Sequence, residues 1–114
     1  QGGGWCWDAK SCAWRTENVP YFVSSKNWPD TMTLPAGSIL SATGTDYEHA
    51  NVAYQKYCTS DGYIGNATAS AATGGMHFRG HAVVLALLHS LAAQGMGKSG
   101  KSTLVLSSLG EGAK

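Results

Sequence analysis

Two short segments near opposite ends of this chain carry residue types suited to acyl transfer. Gly2-Gly3-Gly4-Trp5-Cys6 is glycine-rich. Such a loop is either a flexible end or a place where a substrate oxygen can approach bare backbone N–H groups, an approach that glycine leaves unobstructed. Ser107-Ser108-Leu109-Gly110 follows an apolar run, the place where a nucleophilic serine would stand on a sharp strand-to-helix turn. The first glycine of a G-x-S-x-G elbow is replaced there by Leu106.

Other chemistries are suggested by spacing and weakened by context. Gly95-Met-Gly-Lys-Ser-Gly-Lys101-Ser102 matches the Walker A expression residue for residue. A phosphate loop must open a helix, so that N-terminal amides face the phosphates. This segment instead follows a helical pattern and precedes a strand pattern, so no nucleotide cofactor is expected. His77 and His81 are spaced i, i+4, but Phe78 stands where a metalloprotease helix needs its glutamate. Structural or surface histidines are the expectation, and no metal. Cys6, Cys12 and Cys58 leave an odd count. Cys6 and Cys12 enclose five residues, a loop whose closure would stabilise by about 2–3 kcal/mol in the chain-entropy model. Three buried free thiols are the alternative. Asn66-Ala67-Thr68 is a glycosylation sequon. Sequon and cysteine pair together favour a secreted, oxidising setting, with Cys58 free or paired outside this chain.

The elements that must position these residues follow from periodicity. Pro20, Pro29 and Pro35 forbid long helices between Val19 and Gly37. Residues 51–58 (NVAYQKYC) alternate apolar and polar and predict a strand. Residues 59–75 are small, polar and glycine-bearing, hence a loop. Between 81 and 94, Val84, Leu87, Leu88 and Leu91 fall at i, i+3, i+4, i+7, one face of a helix that Gly95 should stop. Residues 103–106 form a continuous apolar run, as a central parallel strand does. Helix, turn and buried strand make half of an α/β sandwich with a mostly parallel sheet.

Composition narrows the function classes. With 114 residues, 43% hydrophobic and 13% charged, the chain is one domain's length and neither disordered nor a coiled coil. A net charge of +1 leaves no footprint for nucleic acid. The longest apolar run, 82–88, falls far short of the roughly 20 residues of a membrane span. A chain that opens at Gln1-Gly-Gly-Gly and stops at Gly112-Ala-Lys114 reads as a piece of something longer, or as the ordered or processed part of it.

In its ordered islands the sequence resembles the pectin acetylesterase/Notum family of secreted carboxylesterases. The islands are GGGWC with Cys12, Ser24-Ser25-Lys26-Asn27-Trp28-Pro29, Gly37-Ser-Ile-Leu-Ser41, Tyr57-Cys58-Thr-Ser-Asp61-Gly62, and Phe78-Arg79-Gly80 leading through the helix to Gly95-Met96. The resemblance implies an α/β-hydrolase fold and an ester substrate, on acetylated polysaccharide or acylated protein. It also implies a Ser-Asp-His triad without cofactor or metal, with Ser108 as nucleophile and the N–H groups of Gly3, Gly4 and Leu109 as oxyanion donors. Two inserted residues between Lys98 and Ser102 would instead bring Gly110 to the nucleophile position. All four histidines, His49, His77, His81 and His89, precede Ser108, whereas acid and base follow the serine in α/β-hydrolases. Residues 1–114 are therefore expected to be the N-terminal portion of a single hydrolase domain, inactive without the remainder. The alternative is a degenerate esterase fold used for extracellular binding or assembly.

Overall fold

The computed structural model describes residues 4–33, 44, 48–98, 100 and 103–105. Helix α1 spans Ala9–Asn18, and helix α2 spans Gly80–Ala93. Single 3-10 turns lie at Pro20–Phe22 and Ala71–Thr73.

Helix α1 starts on a reciprocal cap. Asp8 Oδ1 accepts from the Ser11 N–H at 2.7 Å, and Ser11 Oγ accepts from the Asp8 N–H at 3.1 Å. These two bonds satisfy N-terminal groups that the helix itself cannot. The Ser11 backbone bond, then its hydroxyl, hold the Asp8 carboxyl below the usual carboxylate range. At the other end Pro20 has no N–H to continue the ladder. The last α-helical bond runs from the Val19 N–H to Arg15 O at 2.9 Å, and the chain then tightens into the 3-10 turn, with Phe22 N–H donating to Val19 O at 2.9 Å and Val23 N–H to Pro20 O at 3.0 Å. The prolines thus do what the sequence predicts over the described part of 19–37.

Helix α2 matches its predicted span to within a residue at each end. Val84, Leu87, Leu88 and Leu91 are all half-buried, on one stripe. Its C-terminus is a Schellman motif, with Gly95 N–H donating to Ala92 O and Met96 N–H to Leu91 O. That geometry needs a positive φ, and Gly95 supplies it at +116°. Among the described residues no helix is long and apolar enough to cross a membrane.

The predicted sheet is not present among the described residues. Residues 51–58 and 103–105 form no strand there, and the one described pairing is an isolated antiparallel bridge, Ala67 with Phe78. Alternation fixes which side chains share a face, but a strand exists only through a partner's ladder. Neither segment has such a partner in the described part. Leu106, which ends the second run, lies outside it.

Among the described residues the buried positions are Cys6, Cys12, Arg15, Ser60 and Gly80, so a disulfide and two polar side chains make up the buried centre. Beside it runs an aromatic file, with ring centroids 4.4 Å apart for Tyr21–Phe22, 6.1 Å for Phe22–Tyr57 and 4.9 Å for Tyr57–Tyr63.

Candidate functional site

The described part of the glycine loop is Gly4-Trp5-Cys6, and it is held at several separate points. Cys6 is bonded to Cys12, which ties the loop covalently to α1. The Cys6 N–H donates to Ser60 O at 3.0 Å. Tyr57 Oη donates to Gly4 O at 3.0 Å and accepts from the Gly62 N–H at 2.6 Å. Burial, the largest cause, pushes the Tyr57 phenol up, even though the Gly62 bond pulls the other way. It therefore remains a donor at neutral pH. Gly4 itself sits at φ +80°, in the left-handed region that side chains rarely adopt.

Two residues beneath the loop bear the cost of this arrangement. Ser60 is fully buried at φ +50°, a conformation that costs a non-glycine residue about 1–2 kcal/mol. Its hydroxyl donates to Phe22 O at 2.9 Å and accepts from Arg15 Nε at 3.1 Å. Arg15 is only 8% exposed, with its guanidinium carbon 5.4 Å from the Phe22 ring centroid. Nη2 is buried without a hydrogen-bond partner among the described residues.

Asp61 joins this assembly to α2. Its Oδ1 accepts from Thr59 Oγ1 at 2.5 Å and from the Tyr63 N–H at 2.9 Å. Oδ2 accepts from the Gly80 N–H at 2.7 Å, so a carboxylate from a distant turn caps the helix and meets its positive end. Both Gly65 and Gly80 are needed for the approach, because a Cβ at either would strike the Asp61 carboxylate. Tyr63 lies against the same turn, and burial pushes its phenol up to about 12. Its hydroxyl donates to Gln55 O at 3.1 Å. Burial, then the Asp61 charge, also pushes the Cys58 thiol up, which keeps it protonated and a poor nucleophile.

The structure brings together Gly4, Cys6 and Cys12. Gly3, Ser108, Leu109 and Gly110 lie outside the described residues, as do Leu106 and Ser107. Cys6 and Cys12 pair as the spacing suggests, and Cys58 is unpaired in this chain. Asn66 is exposed beside the Ala67–Phe78 bridge. His77 Nδ1 accepts from the Ala69 N–H at 3.2 Å, a local structural use. The Walker-like segment follows the C-terminus of α2, the end whose carbonyls repel anions.

Helix α1 and Arg15 escaped the sequence reading, and Ser60 and Asp61 stood in the Tyr57–Gly62 island with no role assigned to them. One local signal was available, since Asp8 and Ser11 stand at capping-box spacing. Nothing local links Arg15 to Ser60, which are 45 residues apart.

The pectinacetylesterase family model matches residues 1–113. Palmitoleoyl-protein carboxylesterase notum2 of Xenopus laevis is 32% identical over 110 residues, covering 93% of this chain and 22% of that relative. The palmitoleoyl-protein carboxylesterase NOTUM of Drosophila melanogaster is 31% identical, covering 95% of this chain and 17% of its own length. Its Homo sapiens counterpart is 28% identical, covering 93% and 21%. The chain spans about a fifth of the length of the curated relatives it matches. No solved structure gives a significant match. The match runs through the anchored glycine loop, the Tyr57–Asp61 turn and α2 alike, and the chain belongs to the pectinacetylesterase family.

Proposed function

We propose that residues 1–114 are the N-terminal portion of a single α/β-hydrolase domain in a secreted serine carboxylesterase. Its substrate is a carboxylic ester on an acetylated polysaccharide or an acylated protein. Ser108 Oγ attacks the acyl carbon, and the N–H groups of Gly3, Gly4 and Leu109 hold the oxyanion. The serine proton passes to a histidine outside residues 1–114 and then to the leaving alcohol. Water next breaks the acyl-serine bond and returns the free acid. The remainder of the domain supplies the acid and base and the missing neighbours of the sheet.

The observation that carries this reading is the rigid anchorage of Gly4 and Cys6 within a chain of carboxylesterase kinship. An oxyanion donor is effective only when it is fixed before charge develops. The disulfide and the exposed sequon favour secretion. A second reading, an inactive fold used for extracellular binding or assembly, draws on one feature. Leu106 replaces the first glycine of the elbow, and the alternative register leaves Gly110 where the nucleophile belongs.

The test is aryl-acetate hydrolysis by the full-length protein and by its Ser108→Ala variant. Turnover that is abolished in the variant supports the esterase. An inert full-length protein that a serine-reactive phosphonate does not label establishes the second reading. Residues 1–114 alone are expected to show no turnover above background, because no base follows Ser108.

A further inference from the structure

We propose that Arg15 is a positioning residue for the oxyanion loop, its buried guanidinium holding the Gly4–Cys6 backbone from beneath. The use made of the loop rests on the esterase reading above; the holding does not.

Arg15 rises from the last turn of α1 into the polar centre, where Nε meets Ser60 Oγ at 3.1 Å. Ser60 in turn receives the Cys6 N–H on its carbonyl oxygen. The same guanidinium fills the space under Gly4, for a Cβ there would come within 3.1 Å of Arg15 Nη1. Gly4 is exposed on its outer side, so the loop is supported from within and open where a substrate would approach.

A purely architectural role does not account for this choice of residue. Among the described residues Arg15 has no carboxylate partner, and its Nη2 has neither solvent nor acceptor. A buried cation of this kind is less favourable than an apolar side chain of similar length. Ser60 would keep its bond to Phe22 O without Arg15. The guanidinium gives two things that a methionine would not. One is a directional hold on Ser60, and through it on Cys6. The other is positive potential, in a water-poor setting, beside the N–H groups that receive developing negative charge.

The experiment compares Arg15→Met and Arg15→Lys with the wild type, all in the full-length protein. In Arg15→Met we expect Tm to be equal or higher and KM to stay within about twofold. We expect kcat to fall by about tenfold or more. Exchange of the Cys6 amide should quicken by about tenfold while the amides of α2 keep their rates. Arg15→Lys, which keeps the charge and loses the planar fork, should recover part of kcat. Wild-type kcat in Arg15→Met, an unchanged Cys6 exchange rate, or a kcat loss that only tracks a lowered Tm would each overturn the proposal. A wild type without esterase activity counts against the proposed function alone. The Cys6 exchange rate then decides whether Arg15 holds the loop.

Discussion

Replacing Gly80 with alanine in an isolated helix would be stabilising by up to about 1 kcal/mol, because glycine is a poor helix former. The structure reverses that sign. Gly80 is the one buried residue of α2, and a Cβ there would strike Asp61 Oδ1, lie 2.5 Å from Tyr63 Cα and 2.8 Å from Asp61 Oδ2. Backbone cannot yield as a flexible side chain can, so the overpacking costs about 1–3 kcal/mol. Pushing Asp61 away also weakens its cap on the Gly80 N–H, worth about 1 kcal/mol. After the propensity gain, Gly80→Ala should destabilise by about 2 kcal/mol. Urea unfolding of the full-length protein reads this as a lower midpoint with an unchanged slope. A double-mutant cycle with Asp61→Ala sharpens the test. Truncating the carboxylate removes two of the three close contacts but leaves Tyr63 Cα, so the cost of Gly80→Ala should fall to about 1 kcal/mol in that background. A Gly80→Ala variant as stable as wild type, or fully additive effects, would show that α2 is not seated on Asp61 as described.

Tyr57→Phe removes the donor to Gly4 O and the acceptor of the Gly62 N–H. It should cost about 1 kcal/mol of stability by thermal unfolding. If the full-length protein is the esterase proposed, its kcat should drop by about tenfold through loosening of the loop; a kcat equal to wild type would detach Tyr57 from the site. The raised phenol of Tyr63 predicts an alkaline loss of stability. Its protonated form is favoured by folding, so the contribution is complete below the usual 10.0 and fades as pH climbs through about 12. Tyr63 is half-buried, so screening by the adjoining solvent reduces the effect to about 1 kcal/mol. Tyr63→Phe should flatten that limb in urea titrations between these pH values; an identical slope in the variant would contradict the assignment.

Much of α2 was legible because its determinants are local. Val84, Leu87, Leu88 and Leu91 lie within two turns, and Gly95 is a stop signal that needs only its own conformation. Helix α1 was obscured by Trp5, Trp7 and Trp14, whose bulk reads as irregular aromatic sequence while all three remain exposed. Its buried face is instead Cys12 and Arg15, three residues apart, and an arginine is not scored as core. The sheet failed for another reason. Alternation in 51–58 constrains a face, and the partner that would complete a ladder is not a property of those residues.

The candidate site divides along the same line. Glycines and cysteines announce themselves, because close approach and covalent bridging leave few other residue types available. The groups that fix them do not. Tyr57 reaches Gly4 across 53 residues, Ser60 reaches Phe22 across 38, and Asp61 reaches Gly80 across 19. Each is an ordinary polar residue until folding supplies its partner.

That two polar side chains, Arg15 and Ser60, lie buried under the loop has a consequence for what it can do. An apolar core beneath Gly4 would exclude water equally well, but dispersion contacts are non-directional and tolerate sliding by a fraction of an ångström. Here the loop is fixed by bonds with preferred angles: a disulfide at Cys6, an N–H to Ser60 O, and a phenol to Gly4 O. Each restrains a different atom of the same short segment. A displacement that relaxes one bond therefore strains another, which restricts where the backbone can sit. Residues held at a cost, Ser60 at positive φ and Arg15 with an Nη2 that meets no acceptor among the described residues, are what such determinacy requires. Strain of this kind persists where position matters more than stability, and it is concentrated under the segment whose N–H groups the proposed chemistry uses.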